Sequence, residues 1–123
     1  MTPGPSMRGY FVDDLLLITP LHHAAGVRLF GEVVGAHKAS LAVAVTEYSR
    51  TAEEITVDLT QVHYLANSAL ETLVALARSL TPPQHLRVLA NPELAFQERL
   101  AAQGWDEIET LRLTVETRRP DTG

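Results

Sequence analysis

The sequence predicts a single α/β domain built on a mainly parallel sheet, and three observations carry that prediction. The 123-residue chain is long enough for one core with two layers of secondary structure. Its composition, 46% hydrophobic and 20% charged residues, is that of a globular domain rather than a disordered chain. Short β-favouring runs also alternate along it with segments of helical period, the order that generates strand–helix–strand crossovers. No internal repeat or low-complexity segment interrupts that order.

The elements follow in turn. Residues 11–20, FVDDLLLITP, are an apolar, β-favouring run stopped by Pro20 and read as the first strand. HHAAG turns the chain. In VRLFGEV, Val27, Leu29 and Gly31 then alternate with Arg28, Phe30 and Glu32, so an N-terminal hairpin opens the fold. AHKASLAVAVTEYSR at 36–50 sets Leu41, Val43, Ala44 and Val45 in a polar frame and predicts a helix. EITVDL at 54–59 has Ile55, Val57 and Leu59 on one face, a strand, and TQVHYLAN at 60–67 is expected as a loop. A helix over 68–80 carries Leu70, Leu73, Val74 and Leu76 at helical spacing and ends before Pro82-Pro83. HLRVLA at 85–90 alternates as a strand. Asn91 as N-cap and Pro92 at the first helical position then open a helix over PELAFQERLAAQ, closed by Gly104. WDEIETLRLTV at 105–115 is either a short helix or an edge strand. The sum is a mixed sheet of four to five strands with three to four helices over residues 11–113. Flexible ends are expected at 1–10 and 114–123, where Pro and Gly collect.

Composition excludes several functions. The net charge is −5, and the basic residues are scattered apart from Arg118-Arg119, so no nucleic acid is expected as a partner. Without cysteine there is no disulfide scaffold, thiolate metal site or cysteine nucleophile. MTPGPSMRGY lacks the basic start and apolar core of a signal peptide, and no apolar stretch reaches membrane-spanning length. A cytoplasmic protein without membrane insertion is therefore expected.

Catalytic groups are sparse. His22-His23 is an adjacent pair in a turn, whose rings point apart and chelate poorly; it reads as a solvated pair. His63 and His85 are single histidines on or near strands, and Asp13-Asp14 reads as a solvent-facing pair. Trp105 reads as closing a core edge. GxSxG, GxxxxGK[ST] and GxGxxG are all missing. The expectation is a protein that is not an enzyme, with no cofactor and no metal.

One short stretch stands apart. In YLANSALETLVAL, Ser68 precedes Glu71 by three positions just before an apolar run, the spelling of a capping box. The same position puts a hydroxyl at the positive end of a helix, where a phosphate is well received. Ser68 is either the cap, with Asn67 before it, or the first helical residue with Asn67 as the cap.

DLTQVHYLANSAL at 58–70 resembles the signature of STAS domains, the family of bacterial anti-sigma-factor antagonists, of the form D-L-[ST]-x-[VL]-x-[FY]-[ILM]-D-S-S-G-L. Asp58, Leu59, Thr60, Val62, Tyr64, Leu65, Ser68 and Leu70 match it position for position. Upstream, VRLFGEV resembles the family's RLxGELD strand, and HLRVLANPELAFQERLAAQGWDEI resembles its closing LxLxxPxxxVxxxLxxxGLDxL. The resemblance spans residues 14 to 113. It implies a non-catalytic domain that binds an anti-sigma factor, often itself a serine kinase, and so frees a sigma factor. Phosphorylation of the serine at the helix start, here Ser68, breaks such a complex.

The chain departs from that pattern at Val34 and Ala66, where the family carries aspartates, at Asn67 in place of a first serine, and at Ala69 in place of glycine. Two readings of Ser68 remain, a phosphoacceptor at a partner interface or a helix cap in a module that binds without a switch. The partner surface is expected over Gly31, Glu32, Val34, Ala66, Asn67, Ser68, Ala69 and Glu71. The alternatives to an antagonist are a non-phosphorylated scaffold, an accessory subunit of a signalling complex or lipid ABC transporter, and a small enzyme or nucleotide binder. An exposed edge strand in the first hairpin would also permit a homodimer.

Overall fold

The structure, a computed structural model, describes residues 10–116. Of the flexible ends expected at 1–10 and 114–123, all but Tyr10 and residues 114–116 lie outside the described residues. The strands are β1 (Phe11–Val12), β2 (Leu16–Pro20), β3 (Gly26–Val33), β4 (Glu54–Leu65), β5 (His85–Ala90) and β6 (Leu111–Val115). The α-helices are α1 (Lys38–Ser49), α2 (Asn67–Arg78) and α3 (Phe96–Ala102), with 3-10 turns at Gly35–His37 and Pro92–Leu94. All six strands form one sheet in the order β1-β2-β3-β4-β5-β6. β1, β2 and β3 pair antiparallel; β3 to β6 pair parallel. Crossovers between strands laid down in chain order bring their helices to one side of a sheet, and α1 and α2 pack against each other there. Between them and the strands lies the core, with Leu29, Leu41, Ile55, Val57, Leu59, Leu73, Leu86 and Phe96 all buried.

The α/β class and the opening hairpin are as expected, and the strand count is higher for two reasons. The run 11–20 is two strands, because the Asp13 carboxylate accepts the backbone N–H groups of Leu15 (2.9 Å) and Leu16 (2.8 Å) and folds the chain into a tight turn. The segment 105–115 ends as an edge strand, β6, which reaches Val115 and so runs past the boundary at residue 113.

Residues 60–65 are not a loop. β4 continues to Leu65 alongside β3, with register shifts between Arg28 and Phe30 and between Gly31 and Glu32. Each irregularity reverses the in–out parity, so Val62 and Leu65 stay buried although the alternation in the sequence is broken there. Where β5 stops at Ala90, the Asn91 amide takes over and donates to the carbonyls of Thr60 (3.2 Å) and Val62 (3.0 Å). Asn91 is thus a tie between strands and not the side-chain cap that the sequence suggests. The helix expected over 92–103 is interrupted at Ala95, whose φ of 50° separates the 3-10 turn from α3. Gly104 does close α3, with a φ of 75° that suits glycine.

Candidate functional site

The candidate site lies where β3 and β4 end and α2 begins. The Ala66 N–H donates to the Val33 carbonyl (2.8 Å), which fixes the end of β4 against β3 and aims the chain into α2. Ala66 occupies the N-cap with extended backbone, φ −67° and ψ 155°, and no side chain caps the helix. Asn67 is therefore the first helical residue and Ser68 the second. The capping box read from Ser68 and Glu71 does not form, and neither placement of Ser68 expected from the sequence holds. A proline-free, alanine-capped start satisfies the dihedrals of entry without calling on a hydroxyl. Ser68 is half-buried. Its carbonyl accepts the Thr72 hydroxyl at 2.9 Å, while its own Oγ lies so close to Gly35 that a Cβ placed there would sit 2.9 Å from it.

Gly35, which is not among the expected residues, is the one placed against that hydroxyl. Its neighbour Val34 precedes the turn after β3, and Ala66 and Asn67 lead directly into Ser68. Glu32, Asn67 and Glu71 are exposed, Val34 and Ala66 half-buried. Ala69 is fully buried, so its side chain supports the surface from beneath and is not part of it. Gly31, with a φ of 111°, packs its backbone against the Leu15 carbonyl within the hairpin, where any side chain would collide. Its part is to shape the strand.

Three contributors are not evident from the sequence. Arg99 on α3 donates to the Leu65 carbonyl and to the Asn67 Oδ1, both at 2.8 Å, and so ties α3 to the start of α2. His37 is buried at 1% exposure, with Nδ1 3.0 Å from the Val34 N–H and Nε2 2.9 Å from the Asp13 carboxylate. An N–H can only donate, so Nδ1 accepts it and Nε2 carries the ring proton toward Asp13. Asp13, exposed as expected, is the third contributor, because its carboxylate also meets His37. The Leu15 N–H above all, then His37 and the Leu16 N–H, hold its carboxyl below the usual carboxylate range. A pairing between residues 24 positions apart leaves no local pattern to read.

His85 has a structural role, as expected: it lies between the Pro83 carbonyl (3.1 Å) and Glu54 (3.0 Å). His22 and His23 are exposed in their turn, and His63 is exposed on β4. Trp105 packs half-buried at the core edge beside a 140 Å³ cleft with Asn67, Glu71 and Arg99. Among the described residues no cluster of His, Asp and Glu is arranged to hold a metal ion, and no helix is long and apolar enough to cross a membrane.

Comparison with known proteins adds two findings. Residues 20–114 match a family described as "Mlab, STAS domain". The fold is similar to the crystal structure of an anti-sigma factor antagonist from Mycobacterium paratuberculosis, with a TM-score of 0.66 and 19% identity over 82% of this chain and 88% of that one. No curated protein matches the sequence.

Proposed function

From a chain that belongs to the STAS-domain family, we propose an anti-sigma-factor antagonist, a bacterial cytoplasmic regulator that binds an anti-sigma factor of the serine-kinase type and releases a sigma factor. Phosphorylation of Ser68 switches the binding off. The observation that carries this reading is the hydroxyl of Ser68, held half-buried at the uncapped start of α2 among the backbone of Gly35 and the apolar Val34 and Ala66. The likeness in fold to an anti-sigma factor antagonist supports the same class of activity.

The chemistry of the switch follows from the local geometry. A phosphate on Ser68 adds nearly two negative charges within the first turn of α2. The first N–H groups of a helix lack intrahelical acceptors and the helix dipole favours an anion there, so the domain itself tolerates the group. A partner surface fitted to a neutral hydroxyl has no such donors. Burying the charge against it costs about 2–5 kcal/mol, roughly a 30-fold to several-thousandfold loss of affinity. Neither Val34 nor Ala66 supplies a carboxylate, so such a surface would meet an apolar rim on this side.

That apolar rim also favours a second reading, a constitutive module: a scaffold or an accessory subunit, for instance of a lipid ABC transporter, that binds without any switch. One experiment separates the two. Wild-type, Ser68→Ala and Ser68→Asp proteins are used to capture partners from the native cytoplasm, with identification by mass spectrometry. The antagonist reading expects an ATPase of the histidine-kinase-like type with the first two and none with Ser68→Asp. Equal capture of one partner by all three, or recovery of transporter subunits alone, supports the constitutive module.

A further inference from the structure

We infer that His37 is a positioning residue for the hydroxyl of Ser68: by clamping the Val34–His37 turn to the first hairpin it sets how far that hydroxyl is uncovered. The clamp has two jaws. On one side Nδ1 accepts the Val34 N–H at 3.0 Å, while the His37 N–H returns to the Val34 carbonyl at 2.9 Å, so the turn is closed by its own last residue. On the other side Nε2 meets the Asp13 carboxylate at 2.9 Å. Asp13 is itself immobilised by the N–H groups of Leu15 and Leu16, and its own N–H donates to the Leu16 carbonyl at 3.0 Å. The Phe11 ring abuts the imidazole at 5.8 Å, with an interplanar angle of 76°. The turn that faces Ser68 is therefore anchored to a hairpin on the far side of β3.

Gly35 is the element that this anchor places. It stands within the clamped turn, and its Cα presents so little to Ser68 that even a methyl group there would press on the hydroxyl at 2.9 Å. Glycine leaves the oxygen accessible; a displaced turn would cover it or expose it further. A buried imidazole between one fixed donor and one fixed acceptor has a single tautomer and a single ring orientation, which makes it a stiff spacer. A reach-back acceptor at the third position after a helix entry is half of a capping box, with histidine taking the place of glutamate. This inference gives the proposed switch its access control and rests on that reading only for its consequence, because the clamp can be tested without any partner.

The chain has no cysteine, so Ser68→Cys creates a unique thiol whose rate of reaction with N-ethylmaleimide reports access at that position. Ala77→Cys, at a fully buried site on the same helix, reports opening of the whole domain. His37→Phe keeps ring volume but removes the acceptor. It is expected to change the alkylation rate in the Ser68→Cys background by at least about threefold more than it changes the rate in the Ala77→Cys background. His37→Gln, which retains an acceptor for the Val34 N–H, should stay within about twofold of the parent. Gly35→Ala should slow the reaction by a similar factor. The imidazole of the unmodified protein should show, by nitrogen NMR, an unprotonated Nδ1 and a protonated Nε2. An unchanged rate in His37→Phe, an equal change at both reporters, or the opposite tautomer would overturn the inference. Each of these outcomes is independent of whether an anti-sigma factor binds.

Discussion

The two helix starts that meet at Ser68 are held in opposite ways. At α1 the entry turn is fixed by side chains: His37 accepts the Val34 N–H and reaches Asp13 on another hairpin. At α2 no side chain caps the entry: the Ala66 N–H meets the Val33 carbonyl, and Arg99 ties the first residues to α3 without reaching the free N–H groups. One end has its polar groups satisfied internally and acts as a wall. The other leaves a hydroxyl and the first helical N–H groups for something outside the chain to use. A position that is locally under-satisfied and sits on an otherwise well-packed scaffold is where function is expected.

The comparison can be broken first at its rigid side. His37→Ala removes a buried ring and leaves the Val34 N–H without its acceptor. The domain should lose about 2–4 kcal/mol, read as a lower urea midpoint at unchanged slope. A loss below about 0.5 kcal/mol would mean that the two helix starts do not differ as described. On the bare side, Ala66→Ser supplies the missing N-cap and should add about 1 kcal/mol. No gain would show that the start of α2 is already satisfied.

Acid gives a third contrast. The carboxyl of Asp13 is held below its ordinary value of 3.8, chiefly by the Leu15 N–H and then by His37. The unfolded chain therefore takes up the proton at a higher pH than the folded one. Its contribution to stability is whole above the ordinary value and fades as pH falls from there through the depressed one. Asp13→Asn should remove that part of the acid limb of a stability–pH profile. The smallest effects belong to the bare end. Ser68→Ala and Glu71→Gln should each change stability by less than about 0.5 kcal/mol, because the capping box they would disrupt is not formed.

What is legible in the sequence divides along the same line. Periodicity finds the core of α2, β5 and the hairpin, because each buries a face with its own period. The helix α1 forms as expected although Val43, read among its apolar positions, is exposed and only Leu41, Ala44 and Val45 are buried. It misses the second half of β4, where two register shifts scramble the alternation while the strand continues, and it joins β1 to β2 across Asp13. Around Ser68 the motif locates the serine. The triplet spacing to Glu71 misleads about its bonding, since a capping box is a pattern that a neighbouring alanine can pre-empt by taking the cap position. Arg99, Asn91 and the His37–Asp13 pair act across 24 to 34 residues, and nothing in a local window encodes such contacts.

The most direct test is the phosphate itself. The protein is recovered from its native cells in a partner-bound and a free fraction, and Ser68 occupancy is measured in each by phosphopeptide mass spectrometry. The account predicts phosphate on Ser68 in the free fraction and an unmodified hydroxyl in the bound one. Equal occupancy in both, or a complex that forms with Ser68 fully phosphorylated, would contradict it.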